Sequence, residues 1–169
     1  MAYQREQVRR QFDTKSIAKI GLVTGLYIVL TLFLSVISFG ALQLRLSEMF
    51  NFLSLYNKKY VWAVTLGVAI ANMFSPLGVI DVVVGSVCTF LVLQINLYIT
   101  RNIKSMKVKL VITTVVFAIS MFTGAGQLKI MYQAPFFINW LAIGLGELFS
   151  MSVGGVLIHW LSKRIDFTK

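Results

Sequence analysis

Gln43-Leu-Arg-Leu-Ser-Glu48 sets a cation, an anion and two further polar side chains beside long hydrophobic runs. Backbone carrying such groups is not tolerated against lipid unless it is paired, solvated or buried in protein, so a polar hexad in this setting marks a candidate site. Around it the 169-residue chain is 57% hydrophobic and only 13% charged, with a mean hydropathy of +0.80. That composition lies outside the range of soluble globular domains and reads as an all-α integral membrane protein.

Working outward, the apolar runs predict six transmembrane helices at roughly 17–38, 46–57, 60–75, 79–100, 108–124 and 136–162. They form a single membrane domain, with residues 1–15 as a basic N-terminal segment, 16–163 as the bundle and 164–169 as a tail. The run from Ile17 to Phe39 is too long for a signal-peptide core and is read as retained. A hydrocarbon layer of about 30 Å takes about 20 helical residues, so the second and third helices are short and are expected to be tilted, kinked or shielded.

Six spans place both termini on one side, and lysine and arginine decide which. Fourteen of the sixteen fall there: Arg5, Arg9, Arg10, Lys15, Lys19, Lys58, Lys59, Arg101, Lys104, Lys107, Lys109, Lys163, Arg164 and Lys169. Both termini are therefore expected in the cytoplasm of a multi-pass cell-membrane protein. The net charge of +10 follows the ends of apolar runs rather than one soluble face, so it signals topology and not nucleic-acid binding. Only Arg45 and Lys129 fall elsewhere, whereas three of the six acids, Glu48, Asp81 and Glu147, lie in or beyond the membrane. That asymmetry predicts an outward-facing polar pocket.

Several candidates carry two readings. Arg45 and Glu48, three apart, either pair with each other on a helix or shape the pocket with Gln43. Asp81 follows the turn Pro76-Leu-Gly78 and either caps the next helix or, with Asn72 and Ser75, faces a ligand. Thr123 to Pro135, which includes Gln127 and Lys129, is read as an external connection, either an ordinary loop or a lid. Glu147 lies eleven residues into the last helix, about 16 Å along it, where an acid is a site candidate by default. Trp140 is seven residues earlier on the same predicted face with Gly144 between, which suggests a slot for a flat heterocycle. Ala18, Gly21 and Gly25 form a small-residue stripe open to close helix packing, within the chain or against a partner. Cys88, the only cysteine, is read as a small buried packing residue, and the His159-Trp160 pair as interfacial.

No phosphate-binding loop occurs in the sequence, so the chain is not expected to hydrolyse ATP. No metal-ligand spacing, catalytic triad, cofactor motif, repeat or second domain is visible either. The chain is read as a non-enzyme.

Ile37-Ser-Phe-Gly40, the Gln-x-Arg-x-Ser-Glu hexad, Ala71-Asn-Met-Phe-Ser-Pro-Leu-Gly78, the segment Tyr132 to Phe137 and Gly144-Leu-Gly-Glu147 together resemble the queuosine-precursor transporter family. These are substrate-binding (S) components of energy-coupling factor (ECF) importers, and the similarity runs from about Ile20 to Leu161. The resemblance implies a six-helix S component that captures a 7-deazaguanine compound such as queuine or 7-aminomethyl-7-deazaguanine. It also implies a coupling membrane subunit and two ABC ATPases as partners, with tilting in the bilayer as the transport step. The small-residue stripe would dock on the coupling subunit, with glycine at 21 and 25 where the family more often has alanine. The pocket residues this implies are Glu147, Glu48, Arg45, Gln43, Asp81, Asn72, Trp140 and Gln127. An S component for another small vitamin and a stand-alone secondary transporter are the competing readings.

Overall fold

The computed structural model describes residues 13–40 and 43–168. Among them every regular element is helical. The early basic residues Arg5, Arg9 and Arg10, with Glu6 and Lys169, lie outside the described residues.

Helix α1 (Thr14–Phe33) starts at Asp13, whose carboxylate accepts the Thr14 amide at 2.9 Å and so satisfies one of the free donors of the first turn. Leu34 leaves helical geometry, and the expected first helix is therefore split into α1 and a single turn, α2 (Ser35–Ser38). A 3-10 helix (Leu46–Leu55) follows, then α3 (Lys59–Asn72), α4 (Val79–Thr100), α5 (Met106–Ser120), α6 (Phe122–Tyr132) and α7 (Phe136–Leu161).

Four stretches are long and apolar enough to cross a membrane: Thr14–Phe33, Val79–Thr100, Met106–Tyr132 and Phe136–Leu161. Their outer faces expose Leu22, Val29, Phe33, Val87, Leu91, Val111, Leu141 and Val156. Apolar surface of that extent calls for a lipid solvent. In α1 the inward residues Ile20, Val23, Tyr27 and Thr31 recur at spacings of three and four, and this stripe packs on α3. α3 is itself shielded: Tyr60, Val61, Ala63, Val64, Val68 and Ala71 are all buried.

The 3-10 helix is the departure from an ordinary bundle. At about 2.0 Å per residue its ten residues reach about 20 Å, much as far as the fourteen residues of α3 do at about 1.5 Å. Its sequence has the matching period of three. Glu48, Asn51 and Ser54 stack as one buried polar stripe, while Ser47, Phe50 and Leu53 stack as another buried row. Such helices seldom run beyond a few residues because their backbone bonds are poorly aligned. Side chains reinforce this one: Asn51 donates to the Glu48 carboxylate, and the Ser54 hydroxyl donates to the Asn51 carbonyl at 2.7 Å. Glycine in α7 lets it lie deep in the bundle. A Cβ added at Gly154 would collide with Met49 Cβ and stand 2.9 Å from Met49 Cα, so a side chain there would push the 3-10 helix outward.

One expectation needs correction. The segment read as a loop or lid, Thr123 to Pro135, is mostly helix α6, separated from α5 by Met121 alone. Its glycines at 124 and 126 do not break it because Ala125 and Gln127 anchor its inner face, and the chain turns only at Gln133, in the left-handed region at φ 55°. The tail, in turn, folds back: Phe167 packs edge-on against Tyr56 at 5.6 Å between ring centroids, and Asn57 Nδ2 donates to the Thr168 carbonyl at 2.9 Å. Helices α4 and α7 fall within one residue of their predicted limits.

The glycines of α1 and α7 are thus expected to respond with opposite sign. A Cβ at Gly21 meets nothing within 4 Å, so Gly21→Ala should be neutral or stabilise by up to about 1 kcal/mol through helix propensity. Gly154→Ala should destabilise by about 1–3 kcal/mol through overpacking. Thermal unfolding of both variants in detergent checks the contrast, and equal midpoints would remove the close approach at Met49 from the account.

Candidate functional site

Five elements converge near one end of the bundle. They are the start of the 3-10 helix, the last two turns of α3, the first four turns of α4, the α5–α6 junction and the middle of α7. Between them lies a cavity of about 60 Å³, bordered by Gln43, Arg45, Glu48, Asn72, Asp81, Gln127 and Glu147, with Cys88, Thr89, Phe117, Ser120 and Met121 among the remaining wall. Volume of that order holds several waters at about 10–15 Å³ each.

The carboxylates are in unequal positions. Glu48, 6% exposed, is held at both oxygens, by Tyr27 Oη–H at 2.6 Å on Oε1 and by the Asn51 amide on Oε2. A neighbouring bond between the Thr31 and Ser47 hydroxyls, 2.6 Å, ties the same turn to α1. Asp81, 5% exposed, faces Arg45, with Oδ2 at 3.7 Å from Nη2. Asn72 joins the two, accepting from Arg45 Nη1 at 3.2 Å and donating to the Asp81 carbonyl at 2.9 Å. Arg45 also donates to the Ser38 carbonyl at 3.3 Å and lies 5.2 Å from the Phe39 ring centroid. Space for Asn72 comes from Gly85, where any Cβ would run into the Asn72 amide nitrogen. Glu147 differs from both of the others. It is 2% exposed, and its Oε1 has no hydrogen-bond partner among the described residues. A buried carboxylate oxygen without a donor is costly, and Glu147 is one of the residues that border the cavity.

The pairing of Arg45 with Glu48 therefore gives way to pairing with Asp81. Arg45 is the residue before the 3-10 helix and has extended backbone (φ −103°, ψ 93°), so it does not stack one turn above Glu48 and reaches α3 and α4 instead. Asp81 sits in the first turn of α4 behind a Gly78 cap, where the helix dipole favours it as well. Ser75 is turned away and accepts the Leu77 amide at 3.2 Å.

Of the eight residues read as a pocket, seven border the cavity, and Trp140 does not. Its indole N–H donates to the Ile119 carbonyl at 3.0 Å, and with Gly144 it lines an apolar groove between α5 and α7. Sharing a helical face with Glu147 to within about 20° is too coarse a guide, since the two residues lie about 10 Å apart along the axis and meet different neighbours, the cavity for Glu147 and the end of α5 for Trp140. Gln127 reaches the cavity from α6 and donates to the Ile80 carbonyl at 3.4 Å. Cys88 is half-buried on the cavity wall rather than packed in the core. Tyr27 and Asn51 hold Glu48 and were not singled out from the sequence. Asn51 was legible in the period of three that links it to Glu48, but Tyr27, 21 residues away, carried no local signal.

Among the described residues no cluster of histidine, cysteine or carboxylate groups has the geometry to hold a metal ion. The cavity offers acceptors, amides and one guanidinium, a set suited to recognising a polar heterocycle by hydrogen bonds.

Comparison with known proteins supplies a family. Residues 17–163 match the family model described as QueT transporter. The chain is 36% identical to the queuosine precursor transporter QueT of Lactococcus lactis subsp. cremoris, over 95% of this chain and 99% of that protein. No solved structure matches the chain significantly.

Breaking the Arg45–Asp81 pair from one side should be costly. Arg45→Met leaves a buried carboxylate uncompensated and is expected to destabilise the protein by about 3–5 kcal/mol, while Arg45→Met/Asp81→Leu should recover most of that loss. Unfolding midpoints of the two single variants and the double variant decide it, and additive losses would mean that the two side chains do not interact.

Proposed function

The chain belongs to the QueT transporter family, and on that premise we propose that it is the substrate-capturing S component of an ECF-type importer for queuosine precursors, 7-deazaguanine compounds such as queuine or 7-aminomethyl-7-deazaguanine. It is a multi-pass membrane protein, with its four long apolar helices as spans. In the proposed topology the 3-10 helix and α3 supply two further, protein-shielded passes, for six in all. Both termini are then cytoplasmic, as the lysine and arginine distribution favours.

The observation that carries the reading is the unpartnered Glu147 Oε1, buried on the wall of the cavity. A guanine-like edge presents two adjacent N–H donors, and a carboxylate accepts such a pair in a bidentate, charge-assisted way. Glu147 is assigned that role. Gln43 and Gln127 border the same space with amides, which both donate and accept, and so suit the rest of the heterocycle's edge. Three carboxylates face one guanidinium, and this formal excess favours a ligand cation such as an aminomethyl group. Asp81 is the acid assigned to it, with Arg45 and Asn72 fixing its position. Glu48, held by Tyr27 and Asn51, acts as a fixed wall and source of negative potential. Phe117 supplies an aromatic surface on the cavity wall, the role first assigned to Trp140.

Inward delivery in this scheme needs a coupling membrane subunit and two ABC ATPases, because the chain itself carries no phosphate-binding loop. The small-residue stripe of α1 is the docking face proposed for the coupling subunit. Ala18 and Gly21 are exposed, and a Cβ on Gly21 or Gly25 would meet nothing within 4 Å, so no helix among the described residues occupies the stripe. That favours a partner over internal packing as its use.

Glu147→Gln keeps the shape of the side chain and replaces one acceptor oxygen with a donor amide. The exchange should weaken binding of 7-aminomethyl-7-deazaguanine by roughly 2–4 kcal/mol, or about thirty-fold to a thousand-fold. Calorimetry on the folded variant in detergent measures it. Affinity close to that of the unaltered protein would confine Glu147 to helix packing and place base recognition elsewhere.

A further inference from the structure

At the opposite end of the bundle from the acidic cavity, the turn after the 3-10 helix, the end of α4 and the start of α5 enclose a second crevice, of about 610 Å³. Its chemistry is the reverse of the first. Lys58, Arg101 and Lys109 line it together with Gln94, Tyr98 and Thr100, and no aspartate or glutamate does. Among the described residues none of the three cations is paired with a carboxylate. The Arg101 guanidinium stacks on the Tyr98 ring, 4.2 Å from its centroid, which holds the cation at the rim instead of letting it swing into solvent. The tail packs on two of the lining residues, with Phe167 against Tyr56 and Thr168 bonded to Asn57.

A topology signal requires only that lysine and arginine be near the membrane surface. It does not require three of them around one concavity without a counter-ion. Such an arrangement concentrates positive potential in a low-dielectric recess and fits a phosphate group with two or more cationic contacts. The walls beyond the rim decide how that phosphate is presented. Ile95 and Ile99 on α4, and Val108 and Val111 on α5, are exposed on the helices that form the crevice. A charged head at the rim can thus continue into acyl chains along apolar helix faces. A soluble anion or an acidic protein surface would make no use of them.

We propose that this crevice binds the phosphate headgroup of an anionic phospholipid, with Lys58, Arg101 and Lys109 as its cationic contacts and its acyl chains along the outer faces of α4 and α5. The site is separate from the 7-deazaguanine cavity and does not depend on its assignment. One consequence is anchoring. A lipid held at the α4–α5 loop and the turn at Lys58 fixes the basic end of the bundle at the membrane surface, while the acidic cavity lies toward the other end.

The test uses the full-length protein in a neutral detergent, with dioctanoyl phosphatidylglycerol, dioctanoyl phosphatidylcholine and inorganic phosphate as separate titrants, followed by calorimetry or native mass spectrometry. Phosphatidylglycerol should bind saturably and weaken as salt is raised, phosphatidylcholine should bind at least about ten-fold more weakly, and inorganic phosphate should not displace the lipid. Arg101→Gln/Lys109→Gln should lose about thirty-fold in phosphatidylglycerol affinity, at roughly a factor of five to ten per cation. Arg101→Lys/Lys109→Arg, which keeps both charges, should stay within a few-fold of the unaltered protein. Equal binding of the two lipids to the unaltered protein, or full affinity in the glutamine variant, would overturn the proposal. Inorganic phosphate binding as tightly as the lipid would assign the crevice to a soluble anion and overturn it equally.

Discussion

Three buried carboxylates share a single guanidinium near one end of an apolar bundle, and the structure around them follows from how each is accommodated. Burying a carboxylate without a partner is among the more expensive things a fold can do. Asp81 takes Arg45, and Asn72 bridges them. Glu48 takes a phenol from α1 and an amide from its own helix. Glu147 is left with an oxygen that nothing in the described chain satisfies. In the proposed function, that oxygen is the acceptor the substrate meets.

The backbone that allows this is the 3-10 helix. An α-helix over Leu46–Leu55 would rotate each successive residue by about 100°, so Glu48, Asn51 and Ser54 would drift around the axis and could not form one polar stripe inside the bundle. Three residues per turn keep them in register. The greater rise also lets ten residues reach nearly as deep as α3. Its cost is a thinner, less well-bonded backbone, offset by side-chain bonds along the stripe and by the space that Gly154 leaves on α7. Local conformation and site are therefore one problem: the helix type that suits a period-three sequence is also the one that fixes Glu48 behind the cavity.

Much of this was legible in the sequence because charge in a hydrophobic run is hard to hide. Arg45, Asp81 and Glu147 stood out for that reason, and all three border one cavity. The limits of α4 and α7 were equally plain, since a long apolar run flanked by turn residues leaves little freedom. What failed was inference from weaker signals. Glycines at 124 and 126 suggested a loop, but two glycines cost a helix only about 1 kcal/mol each, and this helix is packed along the last helix of the bundle. Trp140 was placed by helical angle from Glu147, which cannot distinguish a cavity from the groove beside it. The partners of Arg45 and Glu48 depend on which helices meet in space, and no spacing along the chain reports that Tyr27 reaches Glu48 or that Asn72 reaches Arg45.

Cys88 gives the most direct test of the proposal that a queuosine precursor binds in the acidic cavity. It is the only cysteine in the chain and borders the cavity alongside Glu147 and Asp81, so the unaltered protein already carries a single reporter at the site. The measurement is the rate at which a small thiol reagent modifies Cys88 in the detergent-solubilised protein, with and without saturating 7-aminomethyl-7-deazaguanine, and with an unrelated vitamin as control. The base should slow modification at least about ten-fold while the control leaves the rate unchanged, because a ligand against Glu147 occupies the space the reagent must cross. An unchanged rate with the base bound would contradict it, since the ligand would then have to sit somewhere other than this cavity.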